Sequence, residues 1–470
     1  MATQKITIDP VTRIEGHLKM TVEVDNGKIV DAYSSGTMWR GIEVILRGHD
    51  PRDAAQITQR ICGVCPMAHG TASILALDDA FKVTVPDNAR IIRNLLFGAN
   101  YLQSHILHFY HLAALDYVNG PDIAPFVPRY KGDFRLPKKI NDVFVDHYLQ
   151  ALEMRKKCHE MLAIFGGRMP PQIAMVVGGV TVQPTVDKIA AFLWRLREIR
   201  DFINNVYLPD VLAVADVYSD YKKIGVGHGN LLAYGGFPQD AQGKAKFIKA
   251  GRWVDGKIQP FDALKITEDV KYSWYKNEDT GKYPLNGMTD PQPEKEGAYT
   301  WLKAPRYDGK PYEVGPLARM WVNGDYRQGI SVIDRHAARA LEAQKIAVEM
   351  ENWLLQLKPG DPVWSECKVP DSGEGMGLCE GARGALGHWI KVTGKKIENY
   401  QAVVPTTWNC GPRDDKGVRG PCEEAMIGTP IADADNPLEI VRIIRSMDPC
   451  IACAVHVIKP NGEMKKFRVI

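Results

Sequence analysis

Two cysteine pairs, Cys62-Gly-Val-Cys65 and Cys450-Ile-Ala-Cys453, stand near opposite ends of a 470-residue chain. A thiolate is a soft, strongly donating ligand, and a CxxC turn holds two sulfurs close enough to share one metal ion. If the pairs meet in space they form a four-sulfur site. Such a site suits structural zinc, a rubredoxin-like iron, an iron-sulfur cluster, or nickel bridged through sulfur to a second metal. A lone CxxC is as often a redox or buried pair. Structural zinc usually braces a small local module, whereas these pairs would tie one end of a large chain to the other, which weighs against zinc. The other five cysteines, at 158, 367, 379, 410 and 422, are scattered, and nine in so long a chain make a poor disulfide framework.

Read singly, the other polar candidates are ambiguous. Glu15 in Arg13-Ile-Glu-Gly-His17 looks like a surface or capping glutamate. His69, four residues after Cys65, suits a ligand, a hydrogen-bond donor tuning a sulfur, or a core histidine. Arg383 reads as a surface ion-pair partner, and Glu43 and His456 suggest nothing alone.

The elements that must position these residues are mostly helical. Residues 4 to 36 alternate polar and apolar side chains around Asp25-Asn-Gly27, predicting a β-hairpin in a small opening sheet. Apolar residues recur at helical spacing from Asp87 to about Tyr117, with Asp87 or Asn88 placed to cap. Similar runs cover about 141 to 164, 185 to 219 with a break at Pro209, and 328 to 357. Four long helices would pack as a bundle. Residues 220 to 327 and 360 to 432 read as irregular loops and small sheets wrapped around it. The expected fold class is α+β, mainly α: a central bundle of long helices with small peripheral β-sheets.

Composition bounds the function without naming it. With 45% hydrophobic residues the chain can bury a large core. The 59 basic and 56 acidic residues leave a net charge of +3, no field aimed at nucleic acid or a membrane surface. The N-terminus has no charged segment followed by an apolar core, so no secretory signal is expected. The most apolar stretches carry Arg93, His105, His108 and His111, and none supplies the roughly 20 apolar residues of a membrane span.

The flanks of the cysteine pairs make the reading specific. Arg60-Ile-Cys-Gly-Val-Cys-Pro-Met-Ala-His69 and Asp448-Pro-Cys-Ile-Ala-Cys-Ala-Val-His456 resemble the two metal-binding signatures of nickel-iron hydrogenase large subunits. Asp9-Pro-Val-Thr-Arg-Ile-Glu-Gly-His17, Arg40-Gly-Ile-Glu43, Leu102-Gln-Ser-His-Ile-Leu-His-Phe-Tyr-His111, Lys303-Ala-Pro-Arg-Tyr-Asp-Gly309 and Trp408-Asn-Cys-Gly-Pro-Arg-Asp414 extend the resemblance across the whole chain. It is greatest to respiratory, uptake-type enzymes. The stretch Val322-Asn-Gly-Asp-Tyr-Arg-Gln328 runs directly into a helix where longer members carry an extra segment.

The resemblance implies a reversible, heterolytic cleavage of hydrogen into protons and electrons. Cys62 and Cys450 would be terminal nickel ligands, and Cys65 and Cys453 would bridge to an iron carrying carbon monoxide and cyanide. Cys450 would take the first proton and Glu15 the next. His69 would bond a bridging cysteine. Arg383 would hold a cyanide over the open site, with Pro405 and Thr406 lining the diatomic ligands. Glu43, His456 and the backbone carbonyl of Ala402 would hold magnesium, and Val64 and Leu112 would narrow a hydrogen tunnel.

The family also implies one catalytic domain over residues 1 to 456 and a tail, 457 to 470, removed by a maturation protease after nickel-insertion proteins load the site. With four cysteines committed and the other five scattered, none can hold a cluster chain, so a small subunit carrying iron-sulfur clusters is expected, as a heterodimer or its dimer, passing electrons to a cytochrome or other acceptor. Export to the periplasm with that subunit is implied, with the cytoplasm as alternative. Three competing readings are a quinone-module subunit of respiratory complex I, which lacks the cysteine pairs; a hydrogen sensor, which lacks a removable tail; and a structural zinc protein.

Overall fold

In the computed structural model, the described residues are 4–124, 126–127 and 131–454, with side chains to 452. The chain opens as a three-stranded antiparallel sheet, β1 (Gln4–Ile8), β2 (Leu18–Asp25) and β3 (Lys28–Gly36), in the order β1-β2-β3. The expected hairpin joins β2 to β3 at Asn26 and Gly27, both with positive φ (49° and 74°). That pair of left-handed residues is what a tight two-residue hairpin turn demands.

Helix α1 (Pro66–Phe81) follows Cys65 directly, with Pro66 as its first residue, where a missing N–H costs nothing and a proline φ is already helical. Helix α2 (Asp87–Leu107) is the central rod, and every side chain from Asn88 to Ile106 is buried. Its buried charges are paired: Arg93 Nη1 donates to Asp78 at 2.6 Å, and His105 Nε2 meets Glu342 at 2.9 Å. The expected cap differs. Pro86 precedes the helix, and Asn88 instead binds the Lys358 backbone through both its amide nitrogen and its oxygen. Regular α-helix stops at Leu107, giving way to a wide turn over His108–Ala113 and a tight one over Ala114–Asp116.

Against α2 pack α3 (Lys138–Gly166) and, of the later helices, α7 (Val332–Leu354), and α4 (Val186–Phe202), α5 (Leu208–Val217) and α6 (Pro316–Asn323) pack in turn on α7. The break expected at Pro209 falls just before it, as a wide helical turn over Ile203–Tyr207 that absorbs the missing proline N–H. Ser331 caps α7 by accepting from the Asp334 amide.

Residues 360 to 432 are more regular than their composition suggests. β4 (Ser372–Gly381), β5 (Gly384–Thr393) and β6 (Lys396–Val403) form an antiparallel meander, and β4 lies flat on α1. The loop-like run Ser372-Gly-Glu-Gly-Met-Gly-Leu378 is the reason. Gly373, Gly375 and Gly377 share one face of β4, against the carbonyls of Ala80, Ala76 and Ala72. A Cβ at Gly375 would stand 2.0 Å from the Ala76 oxygen, and one at Gly377 1.9 Å from that of Ala72. The glycines let a helix backbone rest directly on a strand. Short two- and three-stranded sheets between residues 175 and 307 cover the body as expected. Helix α8 (Leu438–Ser446) leads back to the second cysteine pair. Among the described residues no helix is long and apolar enough to cross a membrane.

Candidate metal centre

The turn entering α1 and the segment after α8 bring cysteines from the two ends of the chain together. The sulfur of Cys450 is 3.2 Å from that of Cys62 and 3.7 Å from that of Cys65, and all three are buried and lie within 4.8 Å of one another. Thiolates around one tetrahedral ion, at bonds of about 2.3 Å, sit roughly 3.8 Å apart, so this spacing suits a shared metal. The Val64 and Cys65 amides approach the Cys62 sulfur at 3.3 and 3.4 Å, donors that favour a thiolate. Cys453 follows in the short helix Ile451–Ala454; its side chain, and His456 entirely, lie outside what is described.

Glu15 is placed by backbone as much as by its side chain. Residues 15 and 450 form an isolated parallel bridge; the Ile451 amide donates to the Glu15 carbonyl at 2.7 Å. The neighbouring Gly16 (φ 84°) packs so tightly that a Cβ would lie 2.5 Å from the Ala452 nitrogen. The loop is pinned from below: Arg13 pairs with Asp116, which also accepts from Arg445 at 2.6 Å. Burial works against that carboxylate, but the guanidinium groups outweigh it and hold Asp116 below the usual range. Glu15 Oε2 then accepts from Cys450 Sγ at 3.2 Å and from the Ala452 amide at 2.8 Å. Burial and the Cys62 sulfur push its carboxyl up to about 7, against those two hydrogen bonds.

A small cavity opens above the sulfurs, lined by Cys65, His69, Arg383, Pro405, Thr406 and Cys450 among others. Arg383 is buried and held by Asp448, Nε to Oδ1 at 3.1 Å, and by Ser104 Oγ at 3.3 Å. Its Nη2 lies 3.0 Å from the same Asp448 oxygen without hydrogen-bond alignment, so it keeps unspent N–H capacity in a buried site. A buried guanidinium N–H with spare hydrogen-bond capacity fits an anion-like ligand. Thr406 Oγ1 accepts the Cys450 amide at 2.9 Å, so it positions the cysteine backbone.

The remaining expected residues divide. The hydrogen bond seen at His69 runs to His388, Nδ1 to Nε2 at 3.2 Å, and burial pushes His69 down to about 4, so the ring is neutral. Glu43, in a short helix Ile42–Leu46, does meet Ala402, but through the Ala402 amide, which donates to Glu43 Oε1 at 3.1 Å. Thr289 Oγ1 donates to Glu43 Oε2 at 3.0 Å, and the buried Lys303 binds Gln401 and Glu268 beside it. Val64 and Leu112 do not line the cavity; their carbonyls accept from Gln103 and Arg13. Asp448, His388 and Tyr400 escaped the sequence reading. Asp448 stood in view two residues before Cys450, while His388 and Tyr400 gave no signal, since neither belongs to a motif and each gains its partner only through strand pairing and helix packing.

Comparison with known proteins places this geometry. A family model described as nickel-dependent hydrogenase matches residues 40–123 and 119–456, and one described as HoxL-like matches residues 5–35. The periplasmic [NiFeSe] hydrogenase large subunit of Desulfomicrobium baculatum is 50% identical over 97% of this chain and 95% of its own. The uptake hydrogenase large subunit of Bradyrhizobium diazoefficiens is 37% identical over 99% and 97%. The reduced Ni-Fe-Se hydrogenase structure from D. vulgaris Hildenborough superposes with a TM-score of 0.95 at 52% identity, covering 97% of this chain and all of that one. The chain therefore belongs to the nickel-dependent hydrogenase large subunits, the catalytic subunits of oxidoreductases that act on molecular hydrogen and pair with a small subunit. It has cysteine at 62, 65, 450 and 453, whereas several of these relatives carry selenium in their names.

Proposed function

We propose that this subunit cleaves hydrogen reversibly into two protons and two electrons at a nickel-iron centre held by Cys62, Cys65, Cys450 and Cys453, all through sulfur. The observation carrying this reading is the meeting of three sulfurs from two chain ends with a carboxyl group bonded to one of them. When bound, the metal pair, with carbon monoxide and cyanide on iron, supplies the two-electron chemistry that splits hydrogen heterolytically. The Cys450 sulfur takes the proton. Glu15, 3.2 Å away and poised near neutrality, takes it next. Arg383, steadied by Asp448 and Ser104, offers N–H groups to a cyanide nitrogen. Pro405 and Thr406 shape the rest of the diatomic pocket, and Thr406 keeps Cys450 in place. His69 offers its other nitrogen to a bridging cysteine. Water is kept out because every cavity wall named here is buried.

Glu43, His456 and the Ala402 carbonyl are proposed to hold magnesium, an oxygen-seeking ion; the hydrogen bond from the Ala402 amide keeps the Glu43 carboxylate beside that strand. Val64 and Leu112 are proposed to shape gas entry farther out than the cavity wall. Residues 1–456 would be the mature catalytic domain and 457–470 a tail cleaved after metal loading by a maturation protease, following nickel-insertion proteins. The family match ends at 456, which supports that division. Electrons would leave through iron-sulfur clusters of the small subunit to a cytochrome or similar acceptor. A periplasmic site follows the relative named periplasmic, with the cytoplasm as alternative.

The test is infrared spectroscopy with metal analysis on the heterodimer. Carbon monoxide and cyanide stretches that shift under hydrogen, with one nickel per heterodimer and iron in excess of it from the small subunit's clusters, are expected; zinc in place of nickel with no such bands would overturn the reading.

A further inference from the structure

Opposite Glu15, a line of neutral side chains crosses from α1 into the meander. His69 Nδ1 lies 3.2 Å from His388 Nε2, and His388 Nδ1 lies 2.7 Å from the Tyr400 hydroxyl. All three residues are buried, at 1%, 0% and 1% exposure. His388 has both ring nitrogens engaged and, among the described residues, no carboxylate bonded to it; burial and the neighbouring His69 keep it far below its usual titration range. A neutral imidazole must then donate from one nitrogen and accept at the other, so one proton position sets all the rest.

Tyr400 decides the direction. Among the described residues the Tyr400 hydroxyl makes its only hydrogen bond to His388, and burial holds it in the protonated form. A buried hydroxyl with no other acceptor spends its hydrogen on His388. A Tyr400 O–H donating to His388 Nδ1 puts the His388 hydrogen on Nε2, where it donates to His69 Nδ1. The His69 hydrogen must then sit on Nε2, and His69 lines the same cavity as Cys65 and Cys450.

The contact depends on the glycine face of β4. Gly377 pairs in register with His388, and a side chain there would strike the Ala72 carbonyl. Without that close approach α1 would stand off the sheet and the two imidazoles would part.

We infer that His388 and Tyr400 are positioning residues, a one-way hydrogen-bond relay from Tyr400 through His388 to His69 that fixes the His69 tautomer and aims an N–H at a metal-bound thiolate. Outer partners of this kind set the orientation and donor strength of groups next to a metal. The relay rests on the proposed metal ligation only at its His69 end; the proton order within it stands on the three side chains alone.

Neutron diffraction from the deuterated heterodimer reads that order directly. Deuterium is expected on Nε2 of His69 and of His388, with the Tyr400 O–D pointing at His388 Nδ1; deuterium on Nδ1 of His388 overturns the proposal. Tyr400→Phe and His388→Phe then test the consequence. Both should keep nickel, iron and the infrared bands, which reports on the metal reading separately. The relay predicts that the band positions and the nickel redox potential shift in the same direction in both variants, with activity falling about 10- to 100-fold in His388→Phe and less in Tyr400→Phe. Bands and potential coinciding with the unaltered enzyme in both variants would overturn the relay. If neither variant assembles, the neutron result alone decides.

Discussion

The two flanks of the cysteine cluster are built from opposite materials. On the Glu15 flank a carboxyl group is held by a chain-end bridge, a backbone amide and a thiol, and it is poised to titrate near neutrality. On the His69 flank three buried aromatic groups hold one another at fixed distances, and burial keeps all three neutral, so their charge does not change. A proton-handling site needs both. One side must change charge within each turnover, and the other must not, or the sulfur ligands would drift in donor strength as it did. The contrast teaches that burial alone does not define a role; burial beside donors to an acid tunes it to exchange, whereas burial in a closed neutral chain locks it.

Removing what both flanks share has the largest expected effect. Cys65→Ser should abolish nickel retention and the carbon monoxide and cyanide bands and reduce hydrogen activity to background, read by nickel analysis and infrared spectroscopy of the purified heterodimer. Next comes the proton-handling flank. Glu15→Gln should keep the metals and the infrared bands while turnover and proton-deuterium exchange fall about 10²- to 10⁴-fold. Near-normal exchange in that variant would erase the contrast. The same residue predicts a pH signature. With a carboxyl near 7, Glu15 is ionised and able to accept a proton above that pH and already protonated below it. Exchange in the unaltered enzyme should therefore decline as pH falls through about 7, and Glu15→Gln should lose that inflection.

The locking flank should respond more mildly. His388→Phe is expected to cost about 10- to 100-fold in activity with an inflection still near pH 7, since it leaves Glu15 untouched; loss of the inflection would mean that the flanks are not separate. The smallest effect belongs to packing beneath the relay. Gly377→Ala should lower stability by about 1–3 kcal/mol through overpacking against Ala72. Denaturant unfolding of the heterodimer measures it, and an unchanged midpoint would show that the glycine face is not tight.

Legibility followed local physics. The Asn26-Gly27 hairpin and the buried rod α2 were readable because a turn type and a helical period are written in neighbouring residues. The wide turn at Ile203–Tyr207 was half readable, through Pro209. The meander over 372–403 was not, because Gly373, Gly375 and Gly377 look like loop residues until a helix is laid across them. At the site, the four cysteines and Glu15 stood out by motif and family resemblance. His388, Tyr400 and the Arg383–Asp448 pair did not, because each acquires a role only from a partner tens or hundreds of residues away.

By itself the sequence determined the donor chemistry: soft sulfur pairs at both ends, their flanking signatures, the helical body and the absence of charge suited to nucleic acid. The tertiary structure decided which partners those groups met. It set Glu15 against Cys450 rather than solvent, turned His69 toward His388, and gave Arg383 its carboxylate. The physical reason is range. Ligand type and helical period are properties of a few adjacent residues, whereas a pKa, a tautomer or a spent hydrogen bond depends on what long-range packing brings within 3 to 4 Å.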